Sequence, residues 1–246
     1  MKWIPVYKRE LRMLMRRMGN LGYLFSGLLF PMIYLLAFGW GLGDSVNVAG
    51  GYIGFLAKGM MAISVMMNSF QQTVISISAA RFYYGTFQTL KLSPIGEKSL
   101  AFGLAMAGVT RGVFAGVIIA LAAWLFFDIA TLTIPGIIGL VLTAMCFASF
   151  GVAVGMSSKG QEQFSIIVYF FITPMTFFCG SFFPITNLPD MVQMAVKYLP
   201  LSLANSLLRL TSWDGSAVIS VAILLLTALA GFAWSVWRLN NYSEFE

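Results

Sequence analysis

The chain has 246 residues, 59% of them hydrophobic and 10% charged, with a mean hydropathy of +0.85 and a net charge of +6. Soluble domains carry roughly 25% charged residues, so the composition excludes a soluble domain and identifies an all-α integral membrane protein. The positive charge does not indicate nucleic acid, because the basic residues cluster beside apolar runs, and the absence of histidine excludes both H-E-x-x-H zinc chemistry and a Ser–His triad.

Residues 3–18 form the first predicted element. Leu11, Leu14, Met15 and Met18 recur at helical spacing, while Lys8, Arg9, Arg12, Arg16 and Arg17 take the other face. This pattern predicts a basic amphipathic helix lying in the membrane interface. The N-terminus lacks a short apolar core with a small-residue cleavage site, so the next apolar run is expected to be an uncleaved anchor.

Six runs are long enough to span, since a bilayer core of ~30 Å needs about 20 apolar residues. They are Leu21–Leu42, Tyr52–Ser78, Ser99–Phe127, Ile134–Met156, Gln163–Gly180 and Ser216–Trp237. Trp40, Tyr52, Trp124, Trp213 and Trp237 at their ends read as interfacial anchors. Gly108, Gly112, Gly116 and Ala120 form a small-residue ridge for close helix approach, and Gly151 and Gly155 form a second. Cys146 and Cys179 read as packing residues.

Eleven Lys and Arg residues fall on one side: Lys2, Lys8, Arg9, Arg12, Arg16, Arg17, Arg81, Lys91, Lys98, Lys159 and Arg238. Only Lys197 and Arg209 fall on the other. By the positive-inside rule both termini are cytoplasmic. Asp44, Asp128, Asp190 and Asp214 are then extracytoplasmic.

The segment from Thr173 to Arg209 breaks at Pro184, Pro189 and Pro200, and no piece after Pro184 is long enough to cross. Irregular backbone at membrane depth needs protein cover or water. Residues 183–211 are therefore expected to dip in from the outer surface as two short re-entrant helices, near 189–198 and 201–210. The alternative is a surface loop with two amphipathic pieces resting on the membrane.

Two basic residues lie within spans. Lys58 is about two turns from the outer end of the second span, within reach of the headgroups by snorkelling. Arg111 lies near the middle of the third span beside Ala107, Gly108 and Ala115, and should face the bundle. It either bonds helix carbonyls or contacts an anionic substrate or lipid headgroup. No Asp or Glu lies well inside a span, and no G-x-x-x-x-G-K-[ST] is present. A self-powered secondary carrier is disfavoured, and the energy for any uphill transport must come from another chain.

Three stretches carry a family resemblance that covers essentially the whole chain. Y-K-R-E-L-R-M-L-M-R-R-M followed by L-L-F-P-M-I-Y-L-L-A-F-G resembles the connecting helix and first span of type-2 ABC exporter permeases. G-T-F-Q-T-L-K-L-S-P, Gly85–Pro94, resembles their coupling segment, although Tyr84 and Gln88 stand where the family usually carries acids. G-S-F-F-P-I-T-N-L-P with Pro200-Leu201 and Arg209 resembles their outer segment, with Phe178 and Leu203 departing from the commoner residues. Within that family, Tyr52–Met66 and F-P-I-T-N-L-P with Y-L-P-L-S are most similar to nodulation-type lipo-oligosaccharide and polysaccharide exporter permeases.

The resemblance implies one transmembrane permease domain over residues 1–246, with a connecting helix (3–18), a cytoplasmic coupling segment (81–98) and a re-entrant extracytoplasmic segment (183–211). It implies no catalysis and no metal or cofactor in this chain, with ATP and Mg bound by partner ATPase subunits, and a dimer of permeases, two identical copies being expected ahead of two different ones, in a bacterial inner membrane. ATPase coupling would fall to Arg81, Tyr84, Gly85, Thr86, Gln88, Leu90 and Pro94, with Arg9, Arg12 and Arg16 on the connecting helix. Phe183, Pro184, Leu188, Pro189, Pro200 and Arg209 would form the extracytoplasmic gate. Arg111 and Lys58 are the candidate substrate or lipid contacts. The expected cargo is amphipathic: a lipid-linked oligosaccharide, polysaccharide, lipid or drug. The rival reading is a non-transporting membrane scaffold or immunity protein.

Overall fold

The computed structural model describes residues 2–18, 21–43, 48, 50–129, 132–158 and 160–242; for residues 17, 18, 21–27, 161 and 162 it describes the backbone alone. Asp44 and Lys159, counted above on the outer and inner sides, lie outside the described residues, as do the side chains of Arg17 and Met18.

The described residues are helical throughout, without strands. The chain begins with α1 (Ile4–Met18) and α2 (Leu21–Leu42). Next, α3 (Tyr52–Ser78) runs on through a π-helical turn, Ala79–Tyr83, to the short α4 (Thr86–Leu92). Then come α5 (Glu97–Phe127), α6 (Ile134–Ser157), and α7 (Gln161–Ile167), which a second π turn joins to α8 (Thr173–Phe178). A single 3₁₀ turn precedes α9 (Asp190–Val196), α10 (Pro200–Arg209) and α11 (Gly215–Asn240).

Four helical stretches are long and apolar enough to cross a membrane: Tyr52–Tyr83, α5, α6 and α11. The first and fifth expected spans are shorter as described apolar helices, Leu28–Leu42 and Gln163–Phe178. The fifth is also interrupted, because the π turn at Val168–Ile172 inserts an extra residue into the helical ladder.

The centre of the bundle is α3, whose Leu56, Met60, Met61, Ile63, Met66 and Ile77 are fully enclosed. It is flanked by α5 and α6, and α11 lies along α6. Association inside lipid gains little from hydrophobicity and depends on close packing. The glycine ridge of α5 supplies that packing: a Cβ on Gly112 would collide with Ser69 Oγ and come within 2.9 Å of the Val65 carbonyl, both on α3. Gly151 on α6 meets the Phe70 backbone of α3 in the same way.

Helix ends follow ordinary chemistry. Thr133 Oγ1 accepts from Gly136 N at 3.2 Å at the start of α6, with Pro135 in the first turn. Asp214 accepts from Ala217 N at 2.8 Å and from Ser216 Oγ at 2.7 Å at the start of α11.

Two expectations are corrected. Tyr52 is buried, not an interfacial anchor, whereas Trp40, Trp124, Trp213 and Trp237 are exposed. On α1 the packed face is Val6, Glu10 and Leu14, at four-residue spacing, while Met15 is exposed. A narrow stripe suffices there because α1 packs chiefly on α5, where Val6 fits against Gly103.

Candidate functional site

One polar cluster is built around α4. Gly85 has φ +60°, a left-handed conformation that lets the chain turn sharply from the π segment into α4. From α4, Phe87 inserts into the body with 1% exposure and packs edge-on against Tyr242, with centroids 5.5 Å apart. Lys91 Nζ donates to the Tyr242 carbonyl at 2.6 Å. These contacts dock α4 on the end of the chain.

Arg81 fixes the other side. Its Nη1 donates to the carbonyls of Gly155, Met156 and Ser158 at 2.8, 3.1 and 2.9 Å. Those carbonyls end α6 and have lost their helical partners, so a cation suits them. Arg238 on α11 reaches the same place, with Nε donating to Ser157 Oγ at 2.5 Å. Helix α1 joins through Arg9, whose Nη2 donates to Thr86 Oγ1 at 2.8 Å. Tyr84, Gly85, Thr86, Gln88, Leu92 and Pro94 remain exposed around the anchored Phe87, Leu90 is half-buried, and Arg12 and Arg16 are exposed on α1.

Beneath this cluster lies a buried ion pair. Arg111 Nη2 on α5 donates to Glu10 Oε2 on α1 at 2.8 Å, and its Nη1 donates to the Gln72 carbonyl on α3 at 3.2 Å. Ser76 Oγ of α3 also donates to Glu10 Oε2, at 2.7 Å. Glu10 and Arg111 are 2% and 7% exposed. A buried charge of this kind is tolerated only with a partner and hydrogen bonds, and here three helices supply them. Tyr7 Oη and Thr110 Oγ1, 3.0 Å apart, add a second polar link between α1 and α5.

A second cluster centres on α10. One end of it, Pro200, lines an apolar hollow of about 400 Å³ with Phe70, Phe147, Phe171, Met175 and Trp234. Its far end approaches the start of α6, where Leu207 packs on Gly139 and Leu208 on Gly136. Buried Asn205 donates from Nδ2 to the Cys179 carbonyl and to Ser181 Oγ, both at 2.9 Å. Arg209 Nη2 donates to the Gly180 carbonyl at 2.6 Å and to the Phe55 carbonyl at 3.4 Å. The guanidinium lies 3.5 Å over the Phe55 ring. Phe183, Pro184 and Leu188 are half-buried, while Pro189 is exposed.

Thus the structure joins Arg9 to Thr86, ties Arg81 to α6, and seats Arg209 on Phe55, three residues before Lys58 on α3. It sets Arg111 apart from these two, against Glu10. Reading the sequence missed Glu10, Asn205 and Tyr242. Glu10 carried a signal, being the one acid before Asp44 and in four-residue register with Val6 and Leu14. Asn205 carried one too, as the middle of a Ser202, Asn205, Arg209 stripe.

Long apolar helices packed through glycine, with a polar cluster gathering three parts of the chain at one end, define a multi-pass membrane protein. The chain belongs to the ABC-2 type transporter family, which matches residues 6–213. It is 27% identical over 245 residues to nodulation protein J of Sinorhizobium fredii, covering 97% of this chain and 93% of that protein. It is 29% identical over 240 residues to nodulation protein J of Bradyrhizobium diazoefficiens, covering 95% and 91%. The inner membrane transport permease YadH of Escherichia coli K12 is 27% identical over 165 residues, 65% of this chain and 64% of that one. Permeases of this family pair with separate ATPase subunits.

Proposed function

We propose that this chain, paired with a second copy, forms the membrane pathway of an ATP-driven exporter for an amphipathic substrate such as a lipid-linked saccharide. It sits in a bacterial inner membrane with both termini cytoplasmic. Two ATPase subunits dock on the exposed faces of α4 and α1, and their closure is passed to the bundle.

The observation that carries this reading is the cytoplasmic cluster. Arg9, Thr86, Phe87, Lys91 and Tyr242 tie the connecting helix, the coupling helix and the chain end together, so that a push on α4 is felt by all three. The Glu10–Arg111 pair continues the path from α1 to α5 and α3. At the other end, α10 runs from an apolar hollow at Pro200 toward the outer start of α6, which supports a re-entrant helix shaping the exit. The apolar hollow supports a substrate with an apolar part.

The test is reconstitution with the partner ATPase in proteoliposomes. Stimulated hydrolysis and ATP-dependent movement of an amphiphile are expected, and both fall when Thr86 and Gln88 are replaced. Binding without stimulation or movement would instead indicate a non-transporting scaffold.

A further inference from the structure

On the outer side Lys58, Lys197 and Arg209 form no ion pair among the described residues; Lys197 is exposed, whereas Lys58 and Arg209 are half-buried. Among the described residues the ion pairs are Arg9–Glu10 and Arg111–Glu10, both at the cytoplasmic end. Of the described outer acids, Asp214 is engaged in capping α11, and Asp128 and Asp190 form no ion pair. Among the described residues, therefore, neither Lys58 nor Arg209 has a carboxylate partner.

Their geometry places them together. Arg209 lies on the Phe55 ring and donates to the Phe55 carbonyl. Phe55 and Lys58 are three residues apart on α3, so they share a face. Around them Tyr52, Leu56, Ala57, Gly59, Met60 and Met61 are buried, and Ile53, Gly54, Phe55 and Lys58 stay half-open. Met61 and Ala62, one turn further along the face that carries Lys58, are fully covered, so Lys58 does not lie on a simple lipid-facing surface. The guanidinium is only partly satisfied: Nη2 is used twice, while Nε is buried without a partner.

Two like charges held together at membrane depth are costly, and the cost falls when an anion bridges them. Oxyanions suit this pair, since Arg offers a planar fork and Lys a mobile point charge. We propose that Lys58 and Arg209 form a binding site for the oxyanion group of a membrane amphiphile, with the Phe55 ring as its floor. The site deepens the export reading and rests on it for its role, but binding does not depend on ATP.

Equilibrium binding of radiolabelled dodecyl phosphate to the full-length chain in phosphatidylcholine nanodiscs, without ATPase, tests it separately from export. Saturable binding is expected, with unlabelled dodecanol failing to compete. Lys58→Gln, at a side chain that donates no hydrogen bond within the described residues, should weaken binding about tenfold, and Lys58→Arg should restore it. Replacing part of the phosphatidylcholine with phosphatidylglycerol distinguishes the sources. Competition identifies a bilayer headgroup as an occupant, and its absence identifies a separate anionic cargo. Equal binding by Lys58→Gln, or equal competition by dodecanol, would overturn the proposal. Loss of ATP-driven transport with binding intact would count against the export reading alone.

Discussion

The carboxylate of Glu10 and the guanidinium of Arg111 meet at 2.8 Å across 101 residues of chain, sealed between α1, α3 and α5. The contact makes α1 part of the bundle, not merely a float on its surface. A rigid link of this kind is what a helix needs if it is to convey force to the spans it lies against.

Breaking one partner leaves the other charge buried. Glu10→Gln or Arg111→Gln should each destabilise the protein by about 3–5 kcal/mol. The double variant should lose less than the sum, because the unpaired charge is gone. A double-mutant cycle of denaturation in detergent micelles reads this directly; additive losses would show that the two side chains act independently.

At α4, anchoring and recognition separate. Phe87→Ala removes a side chain that is 1% exposed and should cost about 3–5 kcal/mol. Leu92→Ser changes a side chain that is 88% exposed and should leave stability within about 0.5 kcal/mol. Thermal unfolding measures both, and co-purification with the ATPase should fall in both variants for these different reasons.

Asn205→Ala should cost about 1–3 kcal/mol, because the Cys179 carbonyl and Ser181 Oγ lose their donor in a dry site. Asn205→Asp should be worse, as it puts a charge where a donor is required. Unfolding midpoints of the two variants check the order.

Gly112→Leu should prevent normal assembly, since the α3 backbone occupies the space for any side chain. Gly41→Ala, where nothing lies within 4 Å of the added methyl group, should be tolerated. Gel-filtration monodispersity distinguishes the two.

Asp214 introduces a pH effect at the start of α11. Hydrogen bonds from Ser216 Oγ and the Ala217 amide hold its carboxyl below the ordinary value of 3.8. With the folded pKa depressed, its stabilising contribution is full above that ordinary value and is lost as pH falls through the lower folded one. Unfolding of Asp214→Asn should therefore depend less on pH in that acid window than unfolding of the parent chain.

The apolar spans were legible because hydropathy summed over twenty residues is insensitive to detail. That insensitivity hid the π turns at 79–83 and 168–172, which add one residue to a turn without changing composition. The Pro-punctuated outer segment and the α4 turn were legible through Pro184, Pro189, Pro200 and Gly85. Glu10 was not, because a lone acid amid basic residues resembles surface charge and its partner is 101 residues away. Tyr242 was missed for a similar reason: nothing near it in sequence indicates that Phe87 and Lys91 will dock there.

The central claim is that the surface around α4 receives the ATPase. A photoreactive amino acid placed at the exposed Gln88 in the assembled complex, followed by irradiation and mass spectrometry, tests it most directly. The account predicts a cross-link to the ATPase subunit, while cross-links confined to lipid or to the permease itself would contradict it.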